Sequence, residues 1–357
     1  MGELLNNMLY MLLTIIIGGV FGYILFKLNV PGGLLIGSMV GGAALNIGFA
    51  AAYMPSGSKV LIQIVAGAFI GCSMEKSDVK RLPKIIKPAG IMLAALLILN
   101  LGAGFLIYAV SPLDLLTSFM SVVPGGIADT PIIAADMGAD GPKVAVMQLV
   151  RQILGIGVFP ALIYLWDKKR KDGITENENA NRDKRRKSKT KSWQAFIVTL
   201  AVASVFGMLG KMSGLPSATF VFPIISVLVL KLMFDFAYIP KWAKRCAQVL
   251  SGCYLGSTVT MNDVLDMRYL IVPLIIIIVG YMLNCFITGG IISKTCGFTR
   301  KEGMLITTPA GASDMALISA DLGVENTDVV ILQVVRAVVV MSLFPQIIGF
   351  IVMFLQG

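Results

Sequence analysis

Histidine is absent from the 357 residues. Its absence removes the commonest metal ligand and the usual general base. Zinc, copper, haem and non-haem iron chemistry are disfavoured, and no catalytic residue is assigned. Cysteine is scarce. The five cysteines (Cys72, Cys246, Cys253, Cys285 and Cys296) show no CxxC spacing, and most stand in or beside apolar runs. They read as buried small residues rather than disulfides. Charge is also sparse, at 14% of residues, and it is unbalanced: 30 Lys and Arg against 20 Asp and Glu, a net +10. In a soluble protein that excess would point to nucleic acid. Here basic cytoplasmic loops between membrane spans explain it, and no direct nucleic-acid partner is expected.

What is abundant is apolar surface. Hydrophobic side chains make up 56% of the chain, and the mean hydropathy is +0.83. Uncharged runs such as 4–26, 89–113, 269–293 and 337–357 are long enough to cross about 30 Å of hydrocarbon. The chain reads as an all-α polytopic membrane protein. Its first run lacks a basic leader and a cleavage site, and is expected to be a retained helix.

One stretch occurs twice. Residues 124–160 (PGGIADTPIIAADMGADGPKVAVMQLVRQILGIGVFP) align without a gap to 309–345 (PAGASDMALISADLGVENTDVVILQVVRAVVVMSLFP), with 13 of 37 positions identical. The identities include Pro124/Pro309, Gly126/Gly311, Asp129/Asp314, Asp136/Asp321, Gln148/Gln333 and Arg151/Arg336. The 185-residue offset also pairs Pro31 with Pro216, Gln63 with Gln248, Gly67 with Gly252 and Gly71 with Gly256. The whole half is therefore duplicated. Residues 1–166 form a first membrane repeat and 192–357 a second. Between them, 167–191 carry eleven Lys and Arg against five Asp and Glu, a solvated cytoplasmic linker.

Loop charge decides how often each half crosses. If 115–135 crosses fully, the basic stretch 75–88 falls outside, against the positive-inside rule. If 115–135 dips in and returns, that stretch falls inside, as do Lys294, Arg300 and Lys301. The expectation is five crossings plus one re-entrant or broken helix per half, with the halves inverted. A six-crossing parallel repeat is the alternative.

The chemistry concentrates in the duplicated block. Pro124, Gly125, Gly126 and Pro131 cannot continue a regular helix. Broken backbone at membrane depth is tolerated where protein covers it or where it lines a cavity, and its freed groups can bind ions. Gly311 repeats the pattern. Asp129 and Asp314 could accept a proton, ligate Na⁺ or cap a restarting helix. Asp136 and Asp321 stand seven residues further on, at a segment end. Arg151 and Arg336, with Gln148 and Gln333 three residues earlier on the same helix face, could hold an oxyanion or satisfy buried acids and carbonyls.

The paired PGG-x-x-D and PAGASDMA blocks, each followed by a Q-x-x-R helix, resemble the AbrB-duplication family of bacterial membrane proteins over nearly the whole chain. Members carry labels as different as ammonia monooxygenase, transport protein and regulator of gene expression. The resemblance implies duplication and topology but no substrate. The reading that follows is a secondary transporter of a small solute, an organic anion, coupled to H⁺ or Na⁺. The alternative is a membrane-embedded regulator acting through the linker. No cofactor is expected beyond Na⁺ as a candidate ion. The expected partners are a small-molecule solute, the bilayer and, as the oligomer to test, a second copy.

Overall fold

The computed structural model describes residues 2–28, 32–74, 76–159, 162–163, 193–215, 217–310, 315, 319, 324 and 326–356. Among these the chain is helical, without strands. The linker at 167–191 lies outside the described residues, as do Gly311, Asp314 and Asp321. In the first half α1 is Gly2–Lys27, α2 Gly33–Phe49, α3 Gly57–Gly71, α4 Lys76–Val110, α5 Leu115–Val122, α6 Asp129–Met137 and α7 Gly141–Ile153. A single π-helical turn, Leu154–Val158, extends α7. In the second half α8 is Trp193–Met212, α9 Ala218–Phe234, α10 Lys241–Thr258, α11 Met261–Asp266, α12 Ile271–Cys296, α13 Arg300–Thr307 and α14 Thr327–Gln356.

The duplication extends to backbone detail. Helices α2 and α9 begin and end 185 residues apart, as do α5 and α13. Gly32 and Ala50, which flank α2, take left-handed backbone conformations, and so do their counterparts Ser217 and Asp235. Three of these four are not glycine, so the turn geometry has been kept against the residue preference.

Among the described residues five helical segments are long and apolar enough to cross a membrane: Asn6–Lys27, Pro83–Val110, Trp193–Met212, Met261–Cys296 and Asp328–Leu355. Their outward faces carry exposed Leu9, Ile16, Ile98, Val205, Ile275 and Phe350, as a helix facing lipid should. The apolar helices α2, α3 and α9 are shorter, at 17, 15 and 17 residues.

Equivalent helices of the two halves pack antiparallel. Lys59, at the start of α3, lies over the ring of Tyr254 late in α10. Lys244, at the start of α10, lies over Phe69 late in α3. Likewise Lys87 Nζ, early in α4, donates to Thr295 O at the end of α12, 3.1 Å away, while Leu99 meets Gly280 further along. Antiparallel counterparts make the repeats inverted. The same contacts bring the basic start of α4 to the side that carries Lys294 and Arg300. Arg81 Nη1, 3.0 Å from Asp328 Oδ1, ties the start of α14 to that side as well.

Segments α5 and α6 fold back on one another. The Asp140 N–H, after α6, donates to Thr117 Oγ1 in the first turn of α5 at 2.9 Å. The chain thus enters and leaves at one level. The second copy is closed by Asn326 Nδ2, which donates to Glu302 Oε1 at 2.8 Å. Side-chain caps fix where the two re-entrant segments begin: Asp114 accepts from Thr117 N, and Thr299 forms a capping box with Glu302. The first half therefore has five crossings and one broken, re-entrant segment, the second repeats its start and its closure among the described residues, and the antiparallel counterparts rule out the parallel six-crossing repeat.

The halves are also interlaced. Helix α10 packs on α1 and α2, and α3 packs on α8 and α9. Glycines permit both crossings. A Cβ on Gly67 would stand 2.6 Å from Phe220 O, and one on Gly71 2.7 Å from Ile224 O. One on Gly252 would meet Leu35 O, and one on Gly256 Met39 O. Around this exchanged pair α4, α5, α6, α7, α12, α13 and α14 form the main apolar core, in which Phe119, Ile132, Leu305 and Met341 are almost fully buried.

Candidate functional site

Each re-entrant segment ends its first helix in the protein interior, which leaves carbonyls with no helical partner. After Val122 the backbone turns extended at Val123 (φ −55°, ψ 125°), and after Thr307 it does the same at Thr308 (φ −66°, ψ 132°). Pro124 and Pro309 bring no N–H to continue the ladder.

The Q-x-x-R helices supply the missing donors. Gln148 Nε2 lies 3.1–3.4 Å from the carbonyls of Met120, Ser121 and Val123. Arg151 Nη2 donates to Gly125 O at 2.6 Å. In the second copy Gln333 Nε2 approaches Leu305 O, Ile306 O and Thr308 O at 2.7, 2.9 and 3.5 Å. Arg336 donates to Thr308 O at 2.7 Å and also to Ala310 O. The three-residue spacing matters because it sets the amide over the helix end and the guanidinium one turn deeper, over the break.

The arginines are 1% and 3% exposed, and their donors are not exhausted. Arg151 Nε and Nη1 and Arg336 Nε are buried without a hydrogen-bond partner. No acidic partner of either is found among the described residues. Tyr281 of α12 stands near both. Its hydroxyl donates to Val122 O at 2.6 Å, and Arg151 Cζ lies 5.9 Å from its ring centroid. Arg151, Arg336 and Tyr281 are within electrostatic reach of one another.

Each break packs on the Q-x-x-R helix of the other repeat, or on its extension. A Cβ on Gly125 would strike Thr130 Oγ1 and Met341 of α14. On the opposite side Gly155, in the π turn that extends α7, packs on Pro309 O and Ala310. Gly125 and Gly155 thus act by close approach, where any side chain would push the two copies apart.

Asp129 is the first residue of α6, and the N-cap is Ala128, with no side-chain cap. The capping role considered for it is not what it performs. Its carboxylate instead folds over Gly126, whose missing Cβ leaves room for Oδ2. It faces a cavity of about 10 Å³ walled by Ile62 and Ala66 of α3 and by Lys244, Gln248 and Ser251 of α10. Asp136 lies two turns further along α6. It pairs with Lys59, Oδ1 to Nζ 3.7 Å, away from the breaks. The structure therefore brings together Gln148, Arg151, Gln333, Arg336, Gly125 and Gly126, with Asp129 on their flank. Asp314, Asp321 and Gly311 lie outside the described residues.

Three participants were not singled out from sequence. Tyr281 has Leu96 as its counterpart, so the duplication could not flag it. Lys59 and Lys244 are identical at the 185-residue offset, as their ring partners Phe69 and Tyr254 are equivalent. That signal was present, but lysines near helix ends are ordinary.

The family model described as "Transition state regulatory protein AbrB" matches residues 2–167 and 173–352. The "Uncharacterized protein YhjN" of Bacillus subtilis (strain 168) is 24% identical over 361 residues, 95% of this chain and 92% of that one. A chain of Escherichia coli (strain K12), named provisionally as a regulator AbrB, is 24% identical over 334 residues, 90% of this chain and 91% of its own.

Proposed function

This chain belongs to the AbrB family in both of its halves, and from that premise we propose that it is a secondary transporter of a small organic anion. The observation that carries the reading is the pair of interior helix breaks, one from each inverted repeat, each held by a buried arginine with N–H groups to spare. Unspent guanidinium donors in a dry interior favour an oxyanion. Inverted repeats with broken helices at their interface favour alternating access around one site. Asp129 would bind the coupling ion, and no bond-making chemistry is assigned. The bacterial cytoplasmic membrane is the proposed location, since basic loops gather on one side.

Uptake of organic acids into proteoliposomes tests this. Asp129→Asn should lower gradient-driven uptake at least tenfold while the protein stays folded. Unchanged dependence on pH and Na⁺ in that variant would remove Asp129 from the coupling role.

A second reading, a membrane-embedded regulator acting through residues 167–191, is favoured by the name of the Escherichia coli relative. Replacing those residues with a neutral Gly/Ser segment separates the two. A transporter should keep its flux within about twofold, and a regulator should lose its effect on expression.

A further inference from the structure

The transport reading leaves the coupling ion open between Na⁺ and H⁺, and the surroundings of Asp129 decide between them. We infer that Asp129 exchanges a proton, and that Lys244, rather than a bound Na⁺, supplies the positive charge facing the ionised carboxylate. This rests on the transport reading for its purpose but not for its test.

Three observations converge. A Na⁺ site needs several oxygen ligands, and a broken helix normally offers them as free carbonyls. Here five of those carbonyls already accept hydrogen bonds. Val122 O accepts from Tyr281, Val123 O from Gln148 and Gly125 O from Arg151. Gly126 O accepts the N–H groups of Asp129 and Thr130 at 3.3 and 3.0 Å. Ala128 O takes the Ser251 hydroxyl at 3.4 Å. A metal ion would have to displace several of these donors.

Space gives the second observation. The cavity at Asp129 measures about 10 Å³, no more than one water requires. Coordination by several waters does not fit. A proton on the carboxyl needs no room.

Charge gives the third. Among the described residues Lys244 is the charged group acting on Asp129, and it shares the cavity wall. The other elements packed on α6 add little. Helix α3 contributes Ile62 and Ala66, α10 adds Gln248 and Ser251, and α14 brings Met341. Helix α5 has no charged residue, Lys59 of α3 is paired with Asp136, and the guanidinium groups of Arg151 in α7 and Arg336 in α14 are directed at the break carbonyls. A cation entering this cavity would meet an ammonium. When Asp129 is protonated, Lys244 keeps a partner in the Phe69 ring, its Nζ 4.1 Å from the centroid. The step balances without a co-reactant: one proton passes from water to the carboxylate and later returns to water.

Infrared difference titration of the purified full chain, with no solute added, tests the inference. A protonated-carboxyl signal should appear and disappear within the pH range over which the protein stays folded. It should vanish in Asp129→Asn, move to higher pH in Lys244→Gln and return near its place in Lys244→Arg. Exchanging Na⁺ for choline at constant ionic strength should leave it unchanged. The inference fails if Na⁺ but not choline abolishes the signal or raises the melting temperature of the wild-type protein. It also fails if Asp129 does not titrate in this range. The sodium comparison needs no variant, so misfolding cannot hide the answer. A lack of uptake in proteoliposomes would count against transport alone.

Discussion

Arg336→Ala should destabilise the protein by about 2–6 kcal/mol, because it takes from one buried carbonyl its donor, at about 1–3 kcal/mol, and from a second, which keeps the Ala310 N–H, a charged hydrogen bond worth about 1.5–3 kcal/mol. The carbonyls are those of Thr308 and Ala310, on either side of Pro309. Gln333 already spans three carbonyls with one nitrogen, and its reach to Thr308 O is 3.5 Å, too long to take over. The midpoint of thermal unfolding in detergent, read without solute, should fall by roughly 5 °C or more. Arg336→Lys should recover less than half of the loss. An ammonium is a point donor and cannot bridge two carbonyls as the planar fork does. Because Gln333 and Arg336 share Thr308 O, the Gln333→Ala and Arg336→Ala losses should not add. An Arg336→Ala protein that melts within a degree of wild type would mean that the guanidinium does not hold the break, and its position would then have to be explained by a ligand alone.

The second large effect is expected where the halves interlace. Gly252→Val should cost about 1–3 kcal/mol through overpacking, since even its first carbon would strike Leu35 O, a backbone atom that cannot rotate away. Gly67→Val should behave alike against Phe220 O. Gly102 is the control. It lies within α4, and a Cβ there would meet nothing within 4 Å. Gly102→Ala should stabilise by about 0.5–1 kcal/mol through helix propensity. The three variants, compared by unfolding midpoint, separate helix contact from glycine content. Equal midpoints for Gly252→Val and Gly102→Ala would contradict the interlaced packing.

Much of this was legible because duplication doubles the signal. Pro124, Gly126, Asp129, Gln148 and Arg151 stand out when each recurs 185 residues later in apolar surroundings. Loop charge then fixed the sidedness that Lys87 and Arg81 display at α12 and α14. The roles of Gln148 and Gln333 were harder to read. A glutamine inside a span declares a need for partners, but not that its partners are helix-end carbonyls. Asp136 recurs as faithfully as Asp129, yet its charge is met by Lys59, so recurrence did not distinguish a site from a pair at its edge. The exchange of α3 and α10 was invisible, because Gly67, Gly71, Gly252 and Gly256 announce a close approach without naming the helix approached. Tyr281 has no recurrence to betray it.

That exchange has a consequence for how the chain is made. Helix α3 is complete by residue 71, but the surface that accepts it, around Phe220, Ile224 and Val227, is synthesised some 150 residues later. At about 5–20 residues per second the first half waits roughly 8–30 s in the bilayer with its glycine face uncovered. Helix α10 never waits, because α2 is already there when it emerges. Two halves that are alike by descent therefore have unlike biographies, and the earlier one is the half exposed to misassembly.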